Sequence, residues 1–480
     1  MTNYRWTICA LVFFATTINY IDRQVLGLLK STLETSLNWS ESDYSHVVMA
    51  FQLAYALGLL FVGRVIDKIG TKVGYFLSLL GWSLAAMVHG LAHNTFTFGA
   101  ARAALGVTEA GNFPSANKTI AEWFPKKERA LATGIYNSGA NIGAIVAPLC
   151  VPWIALNWGW EWAFVLTGAI GLVWLIFWWF GYKTPADKLK EQKISQAEYD
   201  FIHSDKDDTP EKTEPETSGD AEKNSKISWG WLLKFRQTWS FFFGKFLTDP
   251  IWWFFLFWLP SFLEGENKSK ILAAYPNGLP DGIILDDVLK ELTNFQSLFS
   301  STPLLDKIAV SGLIIWPIAL AVAYTISTIG SVFGGWLPKY LINRGNAVYR
   351  ARMTSMFLYA LIPLTMLAAQ YLGHINTWYT VIVIGMAMAA HQAWSANIFT
   401  TVSDMFPKRA VASVTGIGGM AGAAGGMLIA WAAGLLLDHY KALGTIETGY
   451  GIMFIICSLA YLLAWIIMKA LVPKYKSITV

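Results

Sequence analysis

Four charged residues lie inside apolar stretches that are long enough to cross a bilayer. Asp22 and Arg23 stand side by side in the first stretch, and Arg102 and Glu109 are seven positions apart in the fourth. A charged side chain at the centre of a membrane helix costs about 2.5–3.5 kcal/mol, even on the lenient insertion scale. The four groups therefore form either a structural ion-pair network or a functional site. Inside a bundle of membrane helices we favour the functional site.

Helical spacing and charge together suggest how these groups work. Arg102 and Glu109 are two turns apart and share a helix face, as do Tyr20 and Arg23, which are three residues apart. We therefore expect Arg23 and Tyr20 to face a central cavity and Asp22 to reach toward Arg102. With both carboxylates ionised the four charges cancel. Each bound proton adds one positive charge, which predicts coupling between proton binding and anion binding.

The composition is that of a membrane protein. The chain has 480 residues, of which 54% are hydrophobic and 14% charged, whereas soluble domains average about 25% charged residues. The mean hydropathy is +0.42, and the net charge of +4 is too small to indicate nucleic-acid binding. Cys9, Cys150 and Cys457 lie in apolar runs, which argues against disulfides. The sequence contains no phosphate-binding loop, metal-ligand cluster or nucleophile with a base, so we expect no enzyme, cofactor or metal.

About twelve apolar stretches have the length of a membrane span. They fall in two groups of six around a polar linker at 183–237, so we expect halves at 1–182 and 238–480. We expect disorder near 204–226, after a short helix capped by Ser195 and Glu198. The spans are predicted near 6–29, 44–63, 73–92, 95–121, 131–153, 162–182, 238–261, 308–337, 351–371, 376–403, 412–437 and 449–471. The first span is expected to be retained rather than cleaved as a signal.

Basic residues in the short loops predict the orientation of the chain. One side carries only Lys30 and Lys441, so we expect the opposite side, with both termini and the linker, to be cytoplasmic. The other side carries twelve: Arg64, Lys68, Lys72, Lys126, Lys127, Arg129, Lys339, Arg344, Arg350, Arg352, Lys408 and Arg409.

The two halves repeat in sequence. The string FPKKERALATGIYNSGANIG, which begins at Phe124, aligns without a gap with FPKRAVASVTGIGGMAGAAG, which begins at Phe406. Shared positions include Gly143 and Gly425. Small residues let membrane helices approach closely, and duplicated halves typically place a substrate site between them near the membrane midplane.

Several strings resemble known transporters. GRVIDKIGTK from Gly63 to Lys72 resembles the loop signature of the major facilitator superfamily, with Lys68 where arginine is usual, and GGWLPKYLINRG from Gly334 is a degenerate copy. NYIDR from Asn19 and RAALGVTEAGNFP from Arg102 are similar to the anion:cation symporter family. HQAWSANIFTTVSDMFPKRAVASVTGIGGMAGAAGG from His391 resembles its hexuronate transporters, and the resemblance covers nearly the whole chain.

The resemblance implies an all-α fold of twelve membrane helices in two pseudo-symmetric halves. It implies import of a sugar acid with protons across a bacterial inner membrane. It assigns proton coupling to Asp22 and Glu109, together with Arg102, and the substrate carboxylate to Arg23, whose planar fork suits that group. It also makes Asp67 part of a cytoplasmic gate, in which we include Gly63 and Arg129.

A sugar acid also needs neutral hydrogen-bonding groups. Each candidate side chain could equally form a hydrogen bond between helices or contact the substrate. For His391 we favour the hydrogen bond between helices, which is a structural role. Lys245 and Asp249 are four apart and should pair, with a coupling role for Asp249 as the weaker alternative. The candidates are Tyr20, Tyr55, Asn137, Asn141, His391, Gln392, Trp394, Ser395 and Asn397, with Trp394 as a ring on which the sugar stacks.

A polar insertion at about 264–307 separates the seventh and eighth predicted spans. Its apolar residues from Leu285 recur at helical spacing, which predicts an amphipathic helix that could lie in the membrane interface or over the outer entrance. We favour the interpretation that the insertion is a lineage-specific addition with no role in transport.

Other functions stay open. The alternatives are carriers of aldonates such as galactonate, of aromatic acids or of tricarboxylic acids. A transporter-like sensor that binds the sugar acid without moving it belongs to another class. The expected partners are a sugar-acid anion, protons and the lipid bilayer, with the chain as a monomer.

Overall fold

The computed structural model describes residues 2–204, 229–298, 304–308, 310–406, 408–475 and 478. The first half contains α1 (Tyr4–Leu28), α2 (Lys30–Leu37), α3 (Glu41–Ile69), α4 (Thr71–Val88), α5 (Thr95–Glu109), α6 (Asn112–Trp123), α7 (Lys126–Trp158) and α8 (Trp160–Gly181). The connecting segment contains α9 (Pro185–Lys190), α10 (Gln196–Ile202) and α11 (Trp229–Leu232). The second half contains α12 (Arg236–Ala274), α13 (Leu285–Thr293), α14 (Trp316–Asn343), α15 (Val348–Leu361), α16 (Ala369–Ile375), α17 (Thr377–Met405), α18 (Lys408–Ala442) and α19 (Ile446–Leu471).

The predicted pattern of spans is present. Within the described residues, ten helical stretches are long and apolar enough to cross a membrane. The other two predicted spans are α1 and the pair α5 and α6, which carry the intramembrane charges. The fourth span is not continuous as expected, because the helix breaks directly after Glu109. At this break Gly111 packs so closely on α4 that a Cβ would lie 2.1 Å from Ser78 Oγ.

The sequence repeat corresponds to equivalent packing in the two halves. In the first half Gly143 of α7 lies against α1, where a Cβ would approach the Thr17 carbonyl oxygen to 2.5 Å. In the second half Gly425 of α18 lies against α12, where a Cβ would approach the Phe246 carbonyl oxygen to 2.2 Å. Each repeat therefore brings its small-residue helix into contact with the first helix of its own half.

Polar contacts between the two halves gather at one end of the bundle. We call the end that holds both chain termini the terminal end and the opposite end the distal end. Hydrogen bonds and ion pairs join the halves at the distal end, for example from the Tyr44 hydroxyl to the Phe257 carbonyl at 2.9 Å. Toward the terminal end, a Cβ on Gly63 of α3 or on Gly416 of α18 would meet no atom of a neighbouring helix within 4 Å.

The insertion is more helical than expected. Helix α12 continues to Ala274 instead of ending near 261, because Asn267 forms two hydrogen bonds with the backbone of Ile314, at 2.8 and 3.0 Å. The amphipathic helix is present as α13, and its Val288 and Leu292 pack with Ile271 of α12. Phe299 lies outside the described residues.

The start of the linker is docked on the first half. Ser195 caps α10 by accepting the Glu198 N–H at 3.2 Å, as expected. The Glu198 carboxylate does not return to Ser195, however. It accepts the backbone N–H groups of Tyr4 and Arg5 at the start of α1, at 3.2 and 3.1 Å. Most of the segment expected to be disordered, from 205 onward, lies outside the described residues.

Candidate functional site

An arginine–carboxylate pair forms the centre of the first half. Helix α1 supplies Arg23 and the end of α5 supplies Glu109, and the side chains are 4% and 0% exposed. The Glu109 Oε2 atom accepts the Arg23 Nε–H at 3.0 Å and the Nη2–H at 2.7 Å. The Asn19 amide oxygen lies 3.5 Å from the same Nη2. Such charge-assisted bonds are roughly twice as strong as neutral ones, so Glu109 occupies the fork with which Arg23 would bind an anion.

Four aromatic rings surround the Arg23 guanidinium. Its central carbon lies 5.1 Å from the Tyr20 ring, 5.3 Å from Phe51, 4.9 Å from Tyr55 and 5.5 Å from Trp253. Each distance falls within the range of a cation–π interaction. Tyr20, Phe51 and Tyr55 belong to the first half, whereas Trp253 comes from α12 in the second half. We call these four rings the aromatic cage; it is the place where both halves meet the central charge.

Asp22 and Arg102 do not form the expected contact. Among the described residues no ion pair joins them, and all three guanidinium nitrogens of Arg102 lack a hydrogen-bond partner although the residue is fully buried. Asp22 is 2% exposed, and Thr167 of α8 lies beside its carboxylate. The two groups are close enough to interact electrostatically but form no ion pair, and Arg23 rather than Arg102 binds the Glu109 carboxylate. Buried polar groups are nearly always hydrogen-bonded, so this region is suited to bind water or a polar ligand.

The asparagines of α7 lie apart from the central pair. Gly139 and Gly143 turn one face of α7 toward α1. Asn137 and Asn141 each come two residues before one of these glycines, which is about half a turn of the helix, so they lie on the opposite face of α7. Asn137 is exposed and Asn141 is half-buried. Of the candidates in the first half, the structure brings only Tyr20 and Tyr55 to Arg23.

Two of the α17 candidates, His391 and Asn397, form hydrogen bonds within the second half. His391 Nδ1 lies 2.7 Å from the Tyr461 hydroxyl, and its ring stacks on Trp252 at 5.1 Å. Asn397 donates to the carbonyl oxygens of Gly334 and Ala393 at 2.6 and 2.9 Å. These contacts support the structural explanation that the sequence left open for both residues.

Trp394 is not placed to stack on a sugar. The residue is fully buried, and its ring packs edge-on against Tyr461 of α19 at 5.6 Å. The sequence could not show which way this ring points. Gln392 and Ser395 are half-buried and one turn apart, so they share a face of α17. Lys245 and Asp249 pair at 2.7 Å, as expected.

Sequence reasoning missed three residues near the centre. Phe51 and Trp253 complete the aromatic cage, but 29 phenylalanines and 23 tryptophans gave no reason to single them out. Gln52 is 1% exposed, and neither its amide nitrogen nor its amide oxygen has a partner. It faces Gly426 of α18, where a Cβ would lie 3.1 Å from Gln52 Nε2 and 2.9 Å from Trp253 Cδ1. A polar residue within the apolar second span was the available signal.

The expected gate residues are arranged differently at the terminal end. Asp67 pairs with Lys118 of α6 at 2.9 Å. Arg129 does not approach Asp67. It donates to the carbonyl oxygens of Phe124 and Ala121 at 2.9 and 3.0 Å, which are free because α6 ends there. Gly63 borders open space, as expected of a gate that is not closed.

A polar pocket of ≈ 660 Å³ lies beside this gate. Its lining includes Lys72, Lys118 and Glu122 from the bundle and Lys183 and Glu191 from the start of the linker. A hydrogen bond between Lys183 and Glu191 raises the pKa of the lysine and lowers the pKa of the glutamate. The lining carries four lysines and three carboxylates, so the pocket presents little net charge to a ligand.

Comparison with known proteins adds to this description. The family model of the Major Facilitator Superfamily matches residues 12–283. The chain is 28% identical over 438 residues to the hexuronate transporter of Escherichia coli K12, covering 90% of this chain and 88% of that protein. It is 34% identical over 270 residues to the galacturonate transporter of Dickeya chrysanthemi, covering 56% of this chain and 75% of that protein.

A galactonate carrier and two solved structures are also similar. The D-galactonate transporter of Escherichia coli O6:H1 is 27% identical over 446 residues, covering 91% of this chain and 90% of that protein. A bacterial homologue of the human lysosomal transporter Spinster, in an inward-facing and occupied conformation, superposes with a TM-score of 0.68 at 17% identity, covering 98% and 97% of the two chains. A D-xylose–proton symporter superposes with a TM-score of 0.67 at 14% identity and covers both chains completely, at 100%. At these identities the structures show the fold alone.

Proposed function

This chain belongs to the Major Facilitator Superfamily, and we propose that it is a proton-coupled importer of a sugar-acid anion, most specifically a hexuronate such as galacturonate or glucuronate. The observation that carries the proposal is the buried Arg23, held by Glu109 at 2.7 Å inside the aromatic cage. The names of the similar proteins support the class of substrate, since they are carriers of hexuronate, galacturonate and galactonate. No catalytic step is involved.

Coupling follows from competition for one guanidinium. The Glu109 Oε2 atom accepts two Arg23 N–H groups and its charge already balances the guanidinium, so a substrate carboxylate on Arg23 would add an uncompensated negative charge to this buried site. When Glu109 binds a proton, the pair loses its charge attraction and the fork becomes available. A proton and an anion therefore enter together, and the site gains no net charge. Asp22 and Arg102 lie in the same buried region, and we assign them to the proton pathway.

The aromatic cage suits the rest of a sugar acid. Once the carboxylate is on Arg23, the ring carbons lie beside the cage, where C–H groups pack on aromatic faces. Trp253 replaces Trp394 in this role because it is half-buried and 5.5 Å from the guanidinium carbon. Gln392 and Ser395 remain candidates for the hydroxyl groups, since both are half-buried on a common face of α17.

The loop charges orient the bundle in the membrane. Twelve basic residues in short loops at the terminal end, against two at the distal end, place the terminal end in the cytoplasm. The polar contacts between the halves then lie on the outer side, which supports a state closed to the outside. In this state Glu109 and Arg23 are paired, which is the arrangement expected after substrate and proton have left.

A binding screen tests the class of substrate. The purified protein is heated with galacturonate, glucuronate, galactonate, a tricarboxylate and galactose. Hexuronates should raise the melting temperature most, and galactose should leave it unchanged because it has no carboxylate for Arg23. Leaving one partner of a buried charged pair unmatched costs about 2–5 kcal/mol, roughly 30- to several-thousand-fold in affinity. Clear preference for galactonate would move the chain to the aldonate carriers, and equal stabilisation by galactose would overturn the anion site.

A further inference from the structure

The contacts that close the distal end converge on one residue of the second half. Asp438 lies in the last turns of α18, at the level where α3 begins. Its Oδ1 atom accepts the Glu41 N–H at 2.7 Å and its Oδ2 atom accepts the Ser42 N–H at 2.9 Å. The Ser42 hydroxyl also donates to Oδ2. Asp438 therefore caps a helix of the other half.

This position stabilises a carboxylate for two reasons. The first N–H groups of a helix have no partner within the helix, and the helix dipole places partial positive charge at this end. Helix α3 already has its own cap, because Ser40 accepts the Asp43 N–H at 3.0 Å. Asp438 satisfies the remaining groups, and it does so only while α3 and α18 are together. The bonds are lost when the distal end opens.

A cluster of charges surrounds this contact. Lys30 is fully buried between Glu34 at 2.6 Å and Glu41 at 2.7 Å. Lys441 of α18 reaches the same two carboxylates at 3.3 and 3.7 Å. The two lysines balance the two glutamates, and Asp438 is a further carboxylate beside them, as are Asp43 and Glu264. The backbone N–H groups at the start of α3 are the donors that hold the Asp438 carboxylate.

Small residues allow the close contact. One turn before Asp438, a Cβ on Gly434 would lie 2.4 Å from Ser45 Oγ and 3.1 Å from the Glu41 carbonyl oxygen. Ser45 is 1% exposed. Helices α3 and α18 are thus in near backbone contact where Asp438 reaches across, and Ser45 lies inside the seam.

We propose that Asp438 is the gate residue of the distal end, which holds the two halves together by capping α3 and must release it for substrate to enter from that side. The role is independent of which substrate is carried. It gives α3 a gate at each end, with Asp67 near its last turn and Asp438 at its first.

Cysteine labelling of the seam tests this role. Ser45→Cys is placed in a chain whose exposed Cys150 is replaced by alanine, and the rate of maleimide labelling reports how often the distal end opens. Asp438→Asn keeps the size but loses the charge and one acceptor oxygen. It should raise the labelling rate about tenfold or more, since hydrogen bonds to a charged group contribute on the order of tenfold to hundredfold. Lys441→Gln should raise the rate less, because its ion pairs are longer and 47% exposed at the lysine.

Asp67→Asn is the matched control, since it removes a carboxylate from the other end of α3. It should not raise the labelling rate. An unchanged rate in Asp438→Asn, or an equal rise in Asp67→Asn, overturns the proposal. Labelling of Ser45→Cys is measured without substrate. It therefore tests the gate role of Asp438 even if the chain does not carry a sugar acid. A melting temperature close to that of the parent shows that the variants are folded. If Asp438→Asn does not fold, the labelling rate of Lys441→Gln tests the same gate independently.

Discussion

Replacing Glu109 by glutamine separates anion binding from proton coupling. In the parent, the Glu109 carboxylate holds Arg23 through bonds of 3.0 and 2.7 Å in a buried site. Glutamine keeps a neutral acceptor oxygen but removes the charge. The guanidinium of the empty variant then has aromatic rings and the Asn19 oxygen around it, but no anion.

The size of the effect follows from the burial of the pair. Removing one partner of a buried ion pair costs about 3–5 kcal/mol, and the neutral hydrogen bond to glutamine returns about 0.5–1.5 kcal/mol. The unpaired Arg23 of the variant therefore keeps a free-energy cost of about 2–4 kcal/mol, which a bound substrate carboxylate can remove. Because 1.4 kcal/mol corresponds to tenfold, Glu109→Gln should bind galacturonate at least about tenfold more tightly than the parent.

Titration of purified protein with galacturonate across a pH series measures this difference. The parent should approach the variant as the pH falls, because a protonated Glu109 resembles glutamine, and the variant should respond to pH much less. Uptake driven by a pH gradient should be lost, while exchange of internal for external galacturonate continues. The control is Glu198→Gln, a buried carboxylate that pairs with Arg5 at 3.2 Å away from the site, which should change neither the affinity nor its pH dependence. If Glu109→Gln binds no more tightly and keeps the pH dependence of the parent, the competition at Arg23 is refuted.

Two further predictions concern the same site. Arg23→Ala should abolish detectable galacturonate binding, and Arg23→Lys should weaken it by about tenfold or more because the planar fork is lost; near-parental affinity in the alanine variant would shift the anchor to Arg102. Trp253→Leu should weaken binding by about threefold to tenfold, as expected for loss of a single ring contact, whereas Trp394→Phe should leave affinity unchanged; the reverse order in a competition assay would restore Trp394 as the stacking ring.

The architecture could be predicted from the sequence because its signals are long. Apolar stretches of membrane length and the repeat that begins at Phe124 and Phe406 extend over many residues, and the structure confirms the spans. The break after Glu109 was missed because the apolar pattern continues through it. The break lies four residues before Pro114, which has no N–H to donate to the Ala110 carbonyl and whose ring crowds that carbonyl, so the sequence did carry a signal for it.

The sequence predicted which residues belong to the site better than it predicted which of them form ion pairs with each other. Arg23 and Glu109 stood out because charge inside an apolar span is costly, but spacing describes one helix at a time. The rotation of α1 against α5 decides that Arg23 rather than Arg102 takes the Glu109 carboxylate. For the same reason Arg129 was expected at Asp67, whereas the fold places Lys118 there.

Uptake by sealed proteoliposomes tests the central claim most directly. Vesicles containing the purified protein are diluted into labelled galacturonate with the outside more acidic than the inside. The account predicts accumulation above the external concentration, which a protonophore abolishes and excess galactose does not reduce. Binding without any accumulation would instead indicate a sensor, and accumulation that ignores the pH gradient would contradict proton coupling.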